Sequence, residues 1–218
     1  GDVVLNSWAY GLHNGAFSFD EALSRWLTSV VITASTGNVT ASEKQVQLAI
    51  EYGASAILTT GDYLLRLMEA ARELGYDPAA DLKIRALSNI GNEEQLEEIF
   101  GVDTYKSYGF HEVQWAAIEC EVHDGLHVFE DAYILQVVDP ETAEALPDGV
   151  QGELVFTTLS KRAMPMVRYR TADLATIRAD PCPCGRTLVR MSTPVGRRDD
   201  MLIVRGVNLF PSEVEHVL

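Results

Sequence analysis

Cysteine is scarce: three in 218 residues, an odd count that makes no disulfide framework. Basic residues are scarce too. Lys and Arg number 17 against 32 Asp and Glu, a formal net charge of −15. Nucleic-acid affinity comes from clustered Lys and Arg, so DNA and RNA are excluded as general partners. An anionic ligand has to be met locally, by a few placed cations, helix N-termini or a metal. No apolar run approaches the ~18–20 residues of a membrane span, so no membrane partner is expected. The opening GDVVLNSWAY lacks the basic start and long apolar stretch of a signal peptide. A cytoplasmic location is the default expectation. Internal repeats, low-complexity tracts and nucleophile-elbow or Ser-His-Asp patterns are also missing. What remains is 47% hydrophobic and 22% charged, long enough to bury a core as one large domain or two small ones.

The first half alternates short apolar runs with helical periods. Residues 3–5, 30–32, 56–58 and 84–87 read as strands, those at 30–32 and 56–58 as buried ones. Helices are expected over 42–52 and 62–74. The second carries Leu64, Leu67, Met68, Ala71 and Leu74 as one stripe and stops at Gly75. Asn92 with Gln95 forms a capping pair for a short helix bearing Leu96, Ile99 and Phe100. This rhythm implies a layered α/β subdomain, over 1–115, with a largely parallel sheet. Near residue 116 the rhythm changes. Strands are expected at 116–122, 126–129, 132–138, 153–156, 167–169 and 174–177, giving an antiparallel, barrel-like β-rich subdomain over 116–195. Residues 196–218 follow as a polar GRRDD link with the character of a hinge, a strand at 201–204, and a capping pattern of Ser212 and Glu215 after Pro211. A helix with only six residues after its cap does not stand alone, and the chain opens within a strand, so it reads as a fragment of a longer protein.

Two short clusters carry metal-ligand chemistry. Cys120 and His123 lie in ECEVHDGLH with His127 four residues on, and Cys182 and Cys184 flank a proline in DPCPCGRT. Thiolate and imidazole suit zinc, and four protein ligands suit a structural ion that clips two distant segments together. Three buried free thiols are the plainer alternative. In YKSYGFHE, Tyr108 and Gly109 offer a ring and an open backbone to a flat ligand, and Glu112 offers a carboxylate suited to Mg²⁺. Asp173, in MVRYRTADLATI, has the chemistry to accept both hydroxyls of a ribose, or simply to pair with Arg168 or Arg170.

The order SYGFHE, RYRTADL, GRRDDMLIVRGVNLFPSEVE resembles the signature series of adenylate-forming enzymes. The last stretch is most similar to the phenylacetate–CoA ligase branch, including coenzyme F390 synthetase-like members. GDVVLNSWAYGLHNGA, GLHVFEDAY and LPDGVQGELVFTTLSKRAMPMVRYRT add to the resemblance, which covers nearly the whole chain. It implies the N-terminal domain fold of those enzymes and a set of roles. Tyr108 and Gly109, with Asn89 and Ile90, would receive adenine. Glu112 would bind Mg²⁺ at the ATP phosphates, Asp173 would hold the ribose, and Arg197 would sit near ribose and phosphate. Asp199 would be the pivot of a C-terminal lid beginning within 196–218, and residues 8–15 would help line an acyl pocket. Because the GLH histidine also occurs in members without the cysteines, the resemblance favours His123 over His127 as the fourth zinc ligand, with Cys120, Cys182 and Cys184.

The implied activity is ATP-dependent acid–thiol ligation. An aryl or other hydrophobic carboxylate is activated as an acyl-adenylate and passed to coenzyme A, or in a variant to a carrier-protein thiol. A catalytically inactive, zinc-stapled scaffold module is the alternative, and a homodimer is compatible with either. Three departures bear on activity. The phosphate loop expected upstream of residue 1 is missing, and the STG at 35–37 lacks its glycine density and lysine. The C-terminal lid that the resemblance leads one to expect, with its catalytic lysine, is missing as well. The branch's Gly-Ala-Glu-Pro segment aligns with Ser88 to Gly91 here, without the acidic residue. The fragment alone is therefore expected to be inactive.

Overall fold

The structure, a computed structural model, describes residues 1–12, 14–85, 87–88, 93–198, 202–204 and 207–209. The chain forms two compact units, Gly1–Ser107 and Tyr108–Leu218.

Unit 1 runs β1 (Val3–Asn6), α1 (Gly15–Glu21), a π-helical turn (Ala22–Trp26), β2 (Val30–Thr33), α2 (Ser42–Glu51), β3 (Ala56–Leu58), α3 (Gly61–Glu73), α4 (Pro78–Asp81), β4 (Leu87–Ser88), α5 (Glu93–Phe100) and β5 (Thr104–Tyr105). The strands make a parallel sheet in the order β2-β1-β3-β4-β5. Parallel neighbours need crossovers, and the helices supply them. The α3 stripe is buried except at its end: Leu64, Leu67, Met68 and Ala71 pack into a core that includes Leu5, Ile57, Leu87 and Leu96, whereas Leu74, just past the helix, is exposed. Thr60 caps α3 by accepting the Tyr63 N–H, and Gly75 follows the helix with φ +86°.

The expectation of a buried strand at 30–32 is corrected. β2 is the sheet edge, and Val30 is 61% exposed. An apolar run of this length cannot by itself distinguish an edge from a centre. The helix and π-turn over 15–26 were not expected, because Phe17 and Trp26 stay exposed and leave no inward stripe to read. Asn92 and its cap lie outside the described residues.

Unit 2 runs β6 (Ser107–Phe110, which reaches back to the unit boundary), β7 (Gln114–Glu119), β8 (Leu126–Val128), β9 (Tyr133–Val138), β10 (Gly152–Thr158), β11 (Tyr169–Ala175), β12 (Ile177–Arg178), β13 (Arg190–Met191), β14 (Gly196–Arg197), β15 (Leu202–Val204) and β16 (Val207–Leu209). Two sheets, β14-β11-β10-β9 and β12-β13-β8-β7-β6, share one core of Ala116, Ala117, Val128, Val137, Leu154 and Phe156, so the barrel-like expectation resolves into two packed sheets. β15 and β16 pair with each other. The unit boundary falls at 107/108 where the sequence pointed to 115/116, because Tyr108 and Val113 already pack into the second core. The strands expected at 167–169 and 174–177 are joined: β11 continues through the polar residues between them. Opposite β10, positions 153–155 face positions 170–174, so β11 bulges, with Ala172 at φ +67°. The helix expected after Ser212 lies outside the described residues, and no described helix is long and apolar enough to cross a membrane.

Candidate functional site

In unit 2 the register of β11 against β14 sets Asp173 opposite Arg197. Tyr108 donates from its hydroxyl to Asp173 Oδ2 at 2.5 Å, and Arg197 donates to Oδ1 at 3.3 Å. A carboxylate offers about four lone-pair directions, so roughly two remain for a diol. Burial first, then the Asp173 hydrogen bond, drives the Tyr108 hydroxyl far above its ordinary pKa, which keeps it a neutral donor. The Tyr108 ring is 9% exposed and stacks on Phe156, with centroids 6.0 Å apart at 25°. An adenine would need its other face. Gly109 is required by close approach, since a Cβ there would overlap the Gln114 carbonyl.

Glu112 joins this cluster through aromatic rings. Its Oε1 accepts from the Tyr169 hydroxyl at 3.2 Å, and Lys161 donates to its backbone carbonyl. Tyr169 stacks on Phe110 at 5.6 Å and 17°, and Phe110 touches Tyr108. The Tyr169 pKa is raised, by burial and then by Glu112, with Asp173 adding to the rise and Arg197 opposing it, so this one phenol senses both carboxylates. Tyr108, Glu112, Asp173 and Arg197 are thus brought together. Asn89, Ile90 and Asp199 lie outside the described residues.

Three residues of this arrangement were not singled out in the sequence: Tyr169, Lys161 and Glu153. Glu153 is buried, accepts from Arg170 and takes the Ala172 N–H at 3.1 Å, fixing the bulge that aims Asp173. Its signal was a charge inside the apolar run of GELVF.

Unit 1 holds a cavity of about 290 Å³ lined by Ser7, Trp8, Ala9, Thr36, Thr59, Thr60 and Tyr63. These residues follow the carboxyl ends of β1, β2 and β3, where the strand order reverses, the usual ligand crevice of an open parallel sheet. Of the described residues among 8–15, Trp8 and Ala9 line it. One wall is fixed by Gln45, which accepts from Ser7 at 2.7 Å and donates to the Ser35 and Thr40 carbonyls and to the Tyr63 hydroxyl.

The cysteines converge in unit 2. Sγ of Cys120, Cys182 and Cys184 and a ring nitrogen of His127 all lie within 4.8 Å of one another. Cys120 and Cys182 stand 3.8 Å apart, which is no disulfide but matches the edge, about 3.8 Å, of a tetrahedron with 2.3 Å zinc–sulfur bonds. Cys184 Sγ lies 3.4 Å from His127 Nε2. The donor set therefore fits a four-coordinate zinc ion.

The expectation of His123 as fourth ligand is corrected. His123 sits on the exposed turn at φ +53° with Nδ1 3.4 Å from Glu119, whereas His127 is in β8, 2% exposed, and points at Cys184. The structure brings His127, not His123, to the three thiols, a placement that short Cys-x-x-His spacing does not report. Burial, then the Arg186 charge, lowers the His127 pKa, and the Leu188 backbone opposes this. Burial pushes the Cys184 thiol up, but the Arg186 backbone and side chain and the other cysteines outweigh it and bring it down to about 7.

The chain matches no family model. It is 38% identical to the phenylacetate–coenzyme A ligase of Aromatoleum evansii and 39% identical to that of Thermus thermophilus, in each case over all of this chain and 50% of the relative. The chain is similar, along its whole length, to the phenylacetate–CoA ligase branch of the adenylate-forming enzymes. Among solved structures, 2-hydroxyisobutyryl-CoA ligase in complex with 2-HIB-AMP superposes with a TM-score of 0.89 at 28% identity, over 99% of this chain and 47% of that one. ATP-bound MatB from Rhodopseudomonas palustris, at 17% identity and a TM-score of 0.69, shares the fold. The chain spans about half the length of the phenylacetate–CoA ligases it matches.

Proposed function

We propose that this chain is the nucleotide-gripping part of an AMP-forming acid–thiol ligase of the phenylacetate–CoA ligase type. The observation that carries the reading is the assembly of Tyr108, Arg197 and Asp173 beside the Tyr169–Glu112 pair. Asp173, already oriented by two donors, accepts the ribose diol with its remaining lone pairs. Tyr108, held by its hydroxyl on Asp173 and its ring on Phe156, would border adenine, and Arg197 the ribose and α-phosphate. Glu112, oriented by Tyr169, would hold Mg²⁺, which offsets charge on the phosphates. The carboxylate oxygen of the acid attacks the α-phosphorus, the bond to the bridging oxygen breaks, and pyrophosphate leaves. A thiol sulfur then attacks the acyl carbon, losing its proton as AMP departs. Neither step needs a protein nucleophile. The acceptor is coenzyme A, and the cavity between Trp8, Thr59 and Tyr63 is assigned to the acyl group, in keeping with an aryl or similarly compact acid. Cys120, His127, Cys182 and Cys184 would hold a structural zinc ion that clips the turn after β7 to the loop before β13.

Mass spectrometry of the full-length protein, incubated with ATP, Mg²⁺ and a mixture of carboxylic acids, tests the reading. An acyl-adenylate of an aryl acid is expected. Formation of ADP with any acid, or no adenylate across the mixture, contradicts it.

A further inference from the structure

Beneath the cysteine cluster lies a side chain that no reading above has used. Arg190, in β13, is 1% exposed, yet it meets two carboxylates that are half open to water, Asp124 at 51% and Asp180 at 58%. Its guanidinium is divided between them. One terminal nitrogen donates to the Asp124 carboxylate at 2.8 Å and to its carbonyl at 2.9 Å; the other donates to the Asp180 carboxylate at 2.7 Å and to its carbonyl at 3.1 Å. Asp124 lies in the turn between Cys120 and His127. Asp180 lies two residues before Cys182. The register of β13 on β8 puts Arg190 directly across from His127. Every proposed ligand is thus on a segment that this one fork holds.

A buried arginine is a costly way to fill space, since a hydrophobic side chain of similar volume usually serves at least as well. Here Nε is left without a hydrogen bond, so the residue is not optimised as a polar core group either. Its geometry does something a methionine would not: it ties two backbone segments, 56 residues apart at Asp124 and Asp180, to one rigid planar fork. Three thiolates and a neutral imidazole around a divalent ion carry one net negative charge, and Arg190 is a buried positive charge alongside it.

We propose that Arg190 is a positioning residue of the metal centre: it sets the two ligand-bearing loops at tetrahedral spacing before the ion arrives and offsets the charge of the filled site. The proposal rests on the zinc reading given above. Arg178 reaches the same two aspartates from the surface, but it is 40% exposed and serves as the control.

The test is titration of the full-length protein with Co²⁺, read by its ligand-field and sulfur-to-cobalt charge-transfer bands, followed by Zn²⁺ competition against a chromophoric chelator. The parent is expected to bind one equivalent with a tetrahedral spectrum. R190M is expected to bind roughly 10- to 100-fold more weakly, the usual range for lost outer-shell support, with altered bands. R190K should recover part of the affinity, and R178M should match the parent. If R190M does not fold, D124N/D180N removes the charge from both side-chain ties while leaving the two carbonyl ones, and should weaken binding in the same direction to a smaller extent. An R190M protein, or failing that a D124N/D180N protein, with the parent's affinity and spectrum overturns the positioning role alone. A parent that binds neither metal overturns the zinc reading, and the positioning role with it.

Discussion

The two units place their buried polar groups in opposite ways. Among the described residues, unit 1 keeps charge out of its interior: Asn6, Ser7 and Gln45, its most buried polar side chains, are neutral and are linked to one another or to backbone. Unit 2 buries an arginine, a glutamate and a cluster of soft metal donors among its two sheets. A parallel sheet with crossover helices covers its apolar surface locally, and that cover stabilises it. Short antiparallel strands with long connectors leave distant loops to be tied, and unit 2 ties them with ion pairs and, on the proposed reading, a metal. Unit 1 should therefore respond to changes in packing, and unit 2 to changes in charge and coordination.

The sharpest way to break that contrast is to remove the metal. Structural zinc contributes about 10–16 kcal/mol in small peptides, so chelation or C182S should strip hydrogen-exchange protection from β8 and β13 while leaving α3 and β3 protected. Equal loss in both units would erase the distinction. Next in size is L67A in α3. Leu67 is fully buried in unit 1, and its truncation should cost about 2–5 kcal/mol of that unit's stability without changing metal content. Denaturant unfolding with metal analysis reads both.

A smaller effect is expected at the Asp173 cluster. Replacing Asp173 by Ala would orphan the buried Tyr108 hydroxyl, so D173N is the cleaner change: it leaves an acceptor for Tyr108 and removes the charge. Hydrogen bonds to a charged group contribute about 1.5–3 kcal/mol, so ATP affinity should fall roughly 10- to 100-fold with little loss of stability. The smallest is the effect of pH. Burial and Arg186 hold His127 below its ordinary value of 6.5, so the unfolded chain takes up this proton first as pH falls. In metal-free protein, stability from His127 is present above about pH 6.5 and is lost below it. H127Q should flatten that part of the pH–stability profile in unit 2, and an unchanged profile would contradict the assignment.

Much of the fold was legible because its periodicities are clean. The α3 stripe and the strand at 56–58 are where the pattern of apolar residues puts them. β2 looks the same as β3 in sequence and differs only in having one neighbour, which no local pattern records. The break in apolar character between Tyr169 and Leu174 suggested two strands, but a bulge carries one strand through it, held by Glu153 from β10. Site residues were legible as types and less so as partners. Tyr108, Glu112 and Asp173 stood out in their motifs, while Tyr169 and Lys161, which orient Glu112, looked like ordinary loop and strand residues. The histidine that joins the three thiols is the one in β8, His127, and not the one on the turn before it, which no spacing rule records. Arg190 was invisible, because a fully buried arginine reads as a surface one until its aspartates are seen.

On the proposed reading, Asp173 and its neighbours grip ATP for acid activation. Acid-dependent exchange of pyrophosphate into ATP by the full-length protein tests it most directly, with the parent compared against D173N over a range of ATP concentrations. Exchange is expected only when a carboxylic acid is supplied, with a higher KM for ATP in D173N. Exchange independent of any acid, or an unchanged KM for ATP in the variant, would contradict it.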